Sequence, residues 1–196
     1  MMDLGTEIPS FALPDVRTGK MVRVPELAVQ QGSPRPILVM FICRHCPYVI
    51  HVKNELARIG RDYAGKVAII AVSSNDAGYV AEDSPEALKE MADELGFDFP
   101  LCYDETQEVA TRFTAACTPD IFLFDKDRRL AYRGQIDGSR PGNTVPVDGR
   151  DLRAAMDALL KGMRPAADQH PATGCNIKWK PGKQPVYYRS ALVNKK

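Results

Sequence analysis

The 196-residue sequence has no apolar run close to the roughly 18 residues that a membrane-spanning helix needs. Its start, MMDLGTEIPSFALPD, also lacks the basic segment and apolar core of a secretory signal. We therefore expect a cytoplasmic protein that does not associate with membranes. A mature chain from which a signal had already been removed would look the same.

Neither charge sign is in excess, since the sequence has 26 Lys and Arg and 25 Asp and Glu. A balance of this kind gives no general reason to expect nucleic acid as a partner. The charges are nevertheless unevenly placed. Residues 76–108 hold eleven acidic side chains against one base, Lys89, whereas residues 176–196 hold six bases and no acid. We expect both segments to be solvated faces, close together in the fold if they interact at all.

The sequence has only five cysteines, an odd number that is too small for a scaffold held together by disulfides. In a reducing compartment such cysteines are reactive, metal-bound or simply buried. Repeats and low-complexity tracts are also missing, so the length fits one globular domain. We assign residues 1–162 to that domain and residues 163–196 to an irregular, Pro- and Gly-containing tail that packs on it.

What the sequence does contain is an alternation of strand and helix patterns. The run PILVMFI (36–42) is continuously apolar, as in a strand buried on both faces. Helical apolar stripes follow it, and the second begins at Ser84-Pro85, which is typical of an N-cap followed by proline. Strands are predicted over 36–42, 66–75, 99–104 and twice within 120–136, and helices over 47–60, 84–96, 105–113 and 149–160. This order predicts an α/β fold with a mostly parallel central sheet, an N-terminal β extension and a late antiparallel hairpin at the edge.

The stretch CRHCP places Cys43 and Cys46 where the first strand meets the first helix. A thiolate is favoured at a helix N-terminus, where unpaired N–H groups and the positive end of the dipole lie. If Cys43 capped the helix, Pro47 would stand at the fourth helical position and block a hydrogen bond. If Cys46 is the cap, Pro47 takes the first position, where proline is well suited. We therefore predict that Cys46 is the nucleophile and Cys43 its disulfide partner.

Two other interpretations of this pair stay open. A metal site could combine Cys43 and Cys46 with His45, Cys117 or Cys175, although a second Cys-x-x-Cys is missing. The two cysteines could also be inert and structural. His45 could lower the pKa of the neighbouring thiol as a cation or hydrogen-bond donor, and Arg44 could do so more weakly.

From Gly5 to Leu160 the chain resembles the thioredoxin-fold redoxin superfamily, which includes thioredoxin-like and alkyl-hydroperoxide-reductase-type proteins. The resemblance is carried by GTEIPSFALPDVRTGKMVRVPEL, the strand with CRHCP, VAIIAVSSND, and FDFPLCYDETQEVATRFTAACTPDIFLFDKDRRLAYRGQI. It implies a thioredoxin-like fold in which Pro119 is the cis-proline beside the active-site cysteines and Thr118 lies next to them.

The resemblance has departures that bear on the chemistry. Val49 stands where thioredoxins place the resolving cysteine, and Met40 replaces their buried acidic residue. Counting back from Cys46, Cys43 takes the position of the threonine that peroxiredoxins use to hold a peroxide. The change from threonine to Cys43 argues against efficient peroxidase chemistry, because the hydroxyl that would hold a peroxide is missing.

Further residues are candidates for accessory roles. Cys117, two residues before the proline, is either near the active site or packed beside it. Cys175 lies in the tail, where Gly174 gives the backbone room, and it could fold back as a second resolving thiol or remain structural. We expect Cys102 in the core and His51 in solvent. The remaining candidates, without an assigned mechanism, are three residues of the loop after the last strand: Asp137, Ser139 and Arg140.

The sequence thus favours a thiol–disulfide oxidoreductase without a cofactor, acting on a protein or small-molecule disulfide and re-reduced by a separate thiol. A thiol peroxidase that uses Cys46 is the first alternative, and a non-enzymatic metal-binding module is the second.

Overall fold

The computed structural model describes residues 2–30 and 32–188, and this part of the chain holds eleven strands and four α-helices. The strands are β1 (Phe11–Pro14), β2 (Met21–Val24), β3 (Val29–Gln30), β4 (Ser33–Pro34), β5 (Ile37–Phe41), β6 (Ala68–Ser73), β7 (Leu101–Tyr103), β8 (Cys117–Thr118), β9 (Asp120–Phe124), β10 (Leu130–Gly134) and β11 (Cys175–Asn176). The helices are α1 (Pro47–Asp62), α2 (Pro85–Leu95), α3 (Glu108–Phe113) and α4 (Arg150–Leu160).

Five strands form the central sheet in the order β10-β9-β5-β6-β7. The pairs β5–β6 and β6–β7 are parallel, and β5–β9 and β9–β10 are antiparallel. Four of the five strands therefore run in one direction, which confirms the mixed α/β sheet. The late hairpin β9–β10 forms one edge of the sheet, as predicted, and its antiparallel strand β9 pairs directly with the central strand β5.

Both faces of the sheet are covered, which explains why β5 is apolar at every position. Because side chains alternate along a strand, Leu38 and Met40 enter the core that contains α1, α2 and α4. Val39 and Phe41 enter the opposite core, with α3 and the β1–β2 hairpin. Each fully buried side chain of this size contributes roughly 1.5–3 kcal/mol to folding.

The helix ends follow from local chemistry in α2 but not in α1. Ser84 Oγ accepts the Ala87 N–H at 3.3 Å, and Gly96 ends α2 in the left-handed region at φ 61°, as predicted. Helix α1, however, passes through Gly60 to Asp62, so Gly60 does not terminate it. A Cβ on Gly60 would lie 2.8 Å from the ring of Phe99, which shows that this glycine permits close packing.

Helix α3 begins at Glu108, three residues later than predicted. The buried Asp104 carboxylate accepts the N–H groups of Val109 and Ala110 at 3.4 and 3.0 Å. It also accepts the Ser74 hydroxyl at 2.8 Å. The residues between Asp104 and the helix form the turn that this capping requires.

The tail is not irregular throughout, because β11 pairs antiparallel with β8. Ile177 and Trp179 are buried in the core that contains α3. Two polar side chains hold the intervening backbone. Asn75 Oδ1 accepts the Lys178 N–H at 2.8 Å, and Gln107 Nε2 donates to the Lys178 carbonyl at 2.9 Å. Among the described residues, no helix has the length and apolar character needed to cross a membrane.

Replacing Gly60 with Ala tests the close packing of α1 against Phe99. Ala ordinarily stabilises a helix relative to Gly by roughly 0.5–1 kcal/mol. We expect Gly60→Ala to destabilise instead, by about 1–3 kcal/mol, because the added methyl overfills this contact. Urea unfolding measures the difference. Gly138→Ala is the control, since its Cβ would meet only Val145 at 3.6 Å. A stabilised Gly60→Ala protein would contradict the packing argument.

Candidate active site

The Cys-x-x-Cys turn joins β5 to α1 as the sequence predicts. Cys46 is the N-cap of α1, with extended backbone at φ −68° and ψ 124°, and Pro47 takes the first helical position. The Cys46 carbonyl accepts the Ile50 N–H at 2.9 Å, which begins the helical hydrogen-bond series. The ranking of the two cysteines by the position of Pro47 therefore agrees with the local structure.

Thr118 contacts both sulfur atoms from the loop across the turn. Its hydroxyl oxygen lies 3.1 Å from Cys43 Sγ, and its carbonyl oxygen lies 3.1 Å from Cys46 Sγ. The Thr118–Pro119 peptide bond is cis, as the resemblance implied. Neither Cys43 nor Cys46 has any solvent-exposed surface. Both are free thiols.

Hydrogen bonds lower the pKa of the Cys46 thiol well below its ordinary value. The largest cause is the Cys43 thiol. The Cys175 thiol and the N–H groups of Val49 and Cys175 act in the same direction, whereas burial opposes them. A protonated Cys46 would donate to the Thr118 carbonyl instead. The donors around the sulfur outweigh this single contact, so the surroundings of Cys46 favour its thiolate.

The same interaction has the opposite effect on Cys43. Its pKa is raised because its thiol donates to Cys46, because it is buried, and because the negative charge of Asp83 is near. The bond to Thr118 opposes these effects and does not offset them. The two cysteines are therefore chemically unequal, because the pKa of Cys46 is lowered and that of Cys43 is raised.

The carboxylate of Asp83 anchors the turn between the two cysteines. This fully buried carboxylate accepts the N–H groups of Arg44 and His45 at 2.7 and 3.2 Å. It also lies 2.5 Å from His45 Nδ1 and accepts from Asn75 Nδ2 at 2.7 Å. The sequence analysis missed Asp83 because it lies within the acidic segment that we expected to be solvated. For Asp83 and Asp104 that expectation is wrong.

The side chains of the two residues between the cysteines bind acidic residues. His45 binds Asp83, and Arg44 donates to Glu90 Oε2 at 2.7 Å and to the Ala87 carbonyl at 3.0 Å. Neither is among the groups that lower the pKa of Cys46. The proposed effect of His45 and Arg44 on that thiol therefore has no contact to support it.

A cluster of possible metal ligands exists, but with a composition that the sequence analysis did not give. Donor atoms of Cys43, His45 and Asp83 all lie within 4.8 Å of one another. Both Asp83 oxygens already accept hydrogen bonds from this turn and from Asn75, so a metal ion would have to replace some of them. The observed contacts are those of a structural anchor for the turn.

Cys175 reaches the site because β11 lies against β8. In this antiparallel pair Cys175 is opposite Thr118 and packs against the core cluster that contains Cys46. Its thiol and its N–H both act to lower the pKa of Cys46. Gly174 packs on the Thr118 carbonyl, and a Cβ on it would lie 2.6 Å from the Thr118 carbonyl carbon. The tail thus packs on the Thr118 side of the site, and Cys175 itself remains partly exposed.

Cys117 and Cys102 lie outside this cluster. Cys117 precedes Thr118 in a strand, so its side chain points to the opposite face, with its sulfur 3.7 Å from the Pro119 carbonyl. Burial and the charge of Asp120 raise its pKa. Cys102 is fully buried in the core, as expected, and burial raises its pKa to about 12.

The expectation that His51 is solvated is wrong. Its side chain is partly buried, and its Nε2 atom is buried without a hydrogen-bond partner in the described part of the chain. It lines a small cavity beside Pro119 together with Asp137, Ser139 and Arg140. The Asp137 carboxylate accepts from Ser139 Oγ at 2.5 Å and from the Gly149 N–H at 2.7 Å. These bonds fix the start of α4, and none of them reaches the thiols.

Solved structures with the same architecture identify the class of fold. A structure of an uncharacterised conserved protein from Geobacillus kaustophilus has 50% identity and a TM-score of 0.88, covering 93% of this chain and 95% of that one. A putative thiol:disulfide interchange protein DsbE from Chlorobium tepidum has 20% identity and a TM-score of 0.62, covering 82% and 99%. Peroxidoxin BcpB from Mycobacterium tuberculosis has 19% identity and a TM-score of 0.61, covering 84% and 99%. The fold is thioredoxin-like.

A protein-family model and one curated relative narrow this class. The model of the AhpC/TSA family matches residues 4–133, and the chain therefore belongs to that family. The thiol-disulfide oxidoreductase ResA of Bacillus thuringiensis (strain Al Hakam) is 22% identical over 167 residues, which cover 84% of this chain and 80% of the relative.

The ionisation of Cys46 can be measured from the ultraviolet absorbance of thiolates in the reduced protein. We expect one thiolate that forms well below the usual thiol pKa of about 8.5 and is missing in Cys46→Ser. Because the folded state lowers this pKa, wild type should gain stability over Cys46→Ser as the pH rises toward the unfolded thiol's pKa, and should lose this gain on acidification. Cys102→Ala is the control. A neutral-pH thiolate that survives Cys46→Ser would assign the charge to another cysteine.

Proposed function

We propose that this protein is a thiol–disulfide oxidoreductase whose nucleophile is Cys46. The observation that carries the proposal is the position of the Cys46 sulfur, which lies at the start of α1 and 3.1 Å from the carbonyl oxygen of Thr118 beside the cis-proline. The lowered pKa of the Cys46 thiol agrees with this position. The relatives named as thiol-disulfide oxidoreductase and thiol:disulfide interchange protein support the same chemistry.

The reaction consists of two thiol–disulfide exchanges. The Cys46 thiolate attacks one sulfur of a substrate disulfide, forms a mixed disulfide and releases the other sulfur as a thiol. A second cysteine of the chain then attacks Cys46, forms an internal disulfide and releases the rest of the substrate. The substrate gains two electrons, and two protein thiols become a disulfide. The spacing makes Cys43 the first candidate for the second thiol.

Two features of the site fit this sequence of events. The stabilised thiolate favours the reduced form of the pair, so the oxidised form should be readily reduced again by a thiol donor. Thr118 contacts both sulfur atoms and so keeps them together in the reduced state. We propose a protein or small-molecule disulfide as substrate and a separate thiol as reductant.

Replacement of each cysteine separates the two roles. We expect Cys46→Ser to reduce insulin or oxidised glutathione no faster than the uncatalysed reaction, because the only low-pKa thiol is lost. Cys43→Ser should retain measurable activity, because the attacking thiolate is still present. Cys102→Ala, in the core, controls for general effects of losing a cysteine. Equal residual activities of Cys46→Ser and Cys43→Ser would contradict the assignment of the nucleophile.

We also propose a reducing compartment, the cytoplasm, as the location. A protein that reduces disulfides needs its own thiols kept reduced, and the cytoplasm does this. Fractionation of cells that express the protein, followed by immunodetection, should place it in the cytoplasmic fraction. Its recovery from an oxidising compartment would reverse the direction of the proposed reaction.

A further inference from the structure

The position of the tail raises the question of how a substrate disulfide reaches Cys46 and which thiol then resolves the mixed disulfide. Neither sulfur of the pair is exposed to solvent, so no disulfide can reach Cys46 while β11 stays on β8. The tail carries a thiol of its own, Cys175, which packs against the core cluster that contains Cys46. Cys175 lies directly opposite Thr118, whose carbonyl oxygen is 3.1 Å from the Cys46 sulfur. Shielding of the site alone would not require a cysteine at this position of the tail.

We propose that Cys175, rather than Cys43, is the thiol that resolves the mixed disulfide on Cys46. The inference rests on the proposed function and names a further catalytic residue for it. The segment 174–176 lifts from Thr118 to admit the substrate, and its return brings Cys175 back onto Cys46.

The environments of the two competing thiols differ in a way that favours Cys175. Cys43 is fully buried, and the charge of Asp83 disfavours its thiolate whether or not Cys46 has reacted. Cys175 is partly exposed, and Lys178 favours its thiolate. Burial raises the pKa of Cys175 to about 11, and its hydrogen bond to Cys46 and the charge there contribute to that rise. The contribution of Cys46 disappears once Cys46 is part of a mixed disulfide, so Cys175 becomes more reactive at the step that needs it.

The backbone fixes where Cys175 returns. Cys175 pairs with Thr118, and the next residue, Asn176, pairs with Cys117. Gly174 lies so close to the Thr118 carbonyl that no side chain fits between them. Beyond this short strand, buried Ile177 and Trp179 and the bonds from Asn75 and Gln107 hold the tail in place. Only the segment before Ile177 therefore has to move.

The electrons and atoms balance with a disulfide of the form R–S–S–R. The Cys46 thiolate forms Cys46–S–S–R and expels one RS⁻. The Cys175 thiolate attacks the Cys46 sulfur, forms Cys46–S–S–Cys175 and expels the second RS⁻. The protons from the two protein thiols end on the two released thiols. Later exchange with Cys43 can move the disulfide to Cys43–Cys46 and return Cys175 to the thiol form.

The test follows the glutathione adduct on Cys46 in the full-length protein. Reduced protein is mixed with oxidised glutathione, quenched with an alkylating agent at successive times and analysed by peptide mass spectrometry. We expect Cys46–Cys175 to be the first internal disulfide in wild type and to accumulate in Cys43→Ser. In Cys175→Ser the adduct should persist at least about tenfold longer, because a tethered thiol acts at an effective concentration of millimolar or more.

Two further variants separate a chemical role of Cys175 from a structural one. Gly174→Ala keeps the thiol but pushes the tail from Thr118, so it should also prolong the adduct. Thr173→Ala changes an exposed side chain one residue away and should resolve the adduct at the wild-type rate. If the tail were only a cover, Cys175→Ser would resolve the adduct at least as fast as wild type, with Cys43–Cys46 as the first product. That result would overturn the proposal for Cys175 and leave the oxidoreductase function standing.

Failure of the proposed function gives a different result. In that case wild type would form no adduct on Cys46 and would not reduce insulin. An internal disulfide in Cys43→Ser that lacked either Cys46 or Cys175 would likewise contradict the resolving role.

Discussion

The site depends on the surroundings of one atom, the Cys46 sulfur. Three separate chain segments contribute to them: the Cys43 thiol from the turn, the Val49 N–H from the first turn of α1, and the N–H and thiol of Cys175 from the tail. A buried thiolate without such donors would be costly, and the thiol would remain protonated. The low pKa of the Cys46 thiol therefore depends on the folded protein, and part of it depends on the tail. Fold and chemistry are coupled through this atom.

Asymmetry within the cysteine pair follows from the same arrangement. Of the two neighbouring thiols, Cys43 is the one that keeps its proton. The charge of Asp83 disfavours a thiolate at Cys43, and the start of α1 favours one at Cys46. Asp83 also binds the two backbone N–H groups between the cysteines, so one buried carboxylate shapes the turn and adds to the hydrogen bond with Cys46 and to burial in disfavouring a thiolate at Cys43. In this way an acidic residue that never touches the nucleophile contributes to its selection.

Sequence reasoning succeeded where the determining interactions are local. The position of Pro47 fixes the start of α1, and Ser84 and Gly96 fix the ends of α2, because each acts on residues within one helical turn. The cis bond before Pro119 came from the resemblance rather than from the chemistry of the residues. Asp83 and Gln107 could not be found, because Asp83 binds backbone N–H groups 38 and 39 residues away and Gln107 binds a carbonyl 71 residues away. An acid in an acidic segment gives no local sign of burial.

The tail was only half predictable for the same reason. Gly174 and Cys175 suggested a segment able to fold back over the site. The strand that this segment forms depends on backbone pairing with Thr118 in β8. That strand also bears on how the protein is re-reduced. In a Cys43–Cys46 disulfide both sulfur atoms are shielded, whereas a Cys46–Cys175 disulfide presents one sulfur on the partly exposed side. A reductant that attacks Cys175 expels Cys46, the thiol with the lower pKa and hence the better leaving group. The contacts that make Cys46 a good nucleophile in one half of the cycle thus make it a good leaving group in the other.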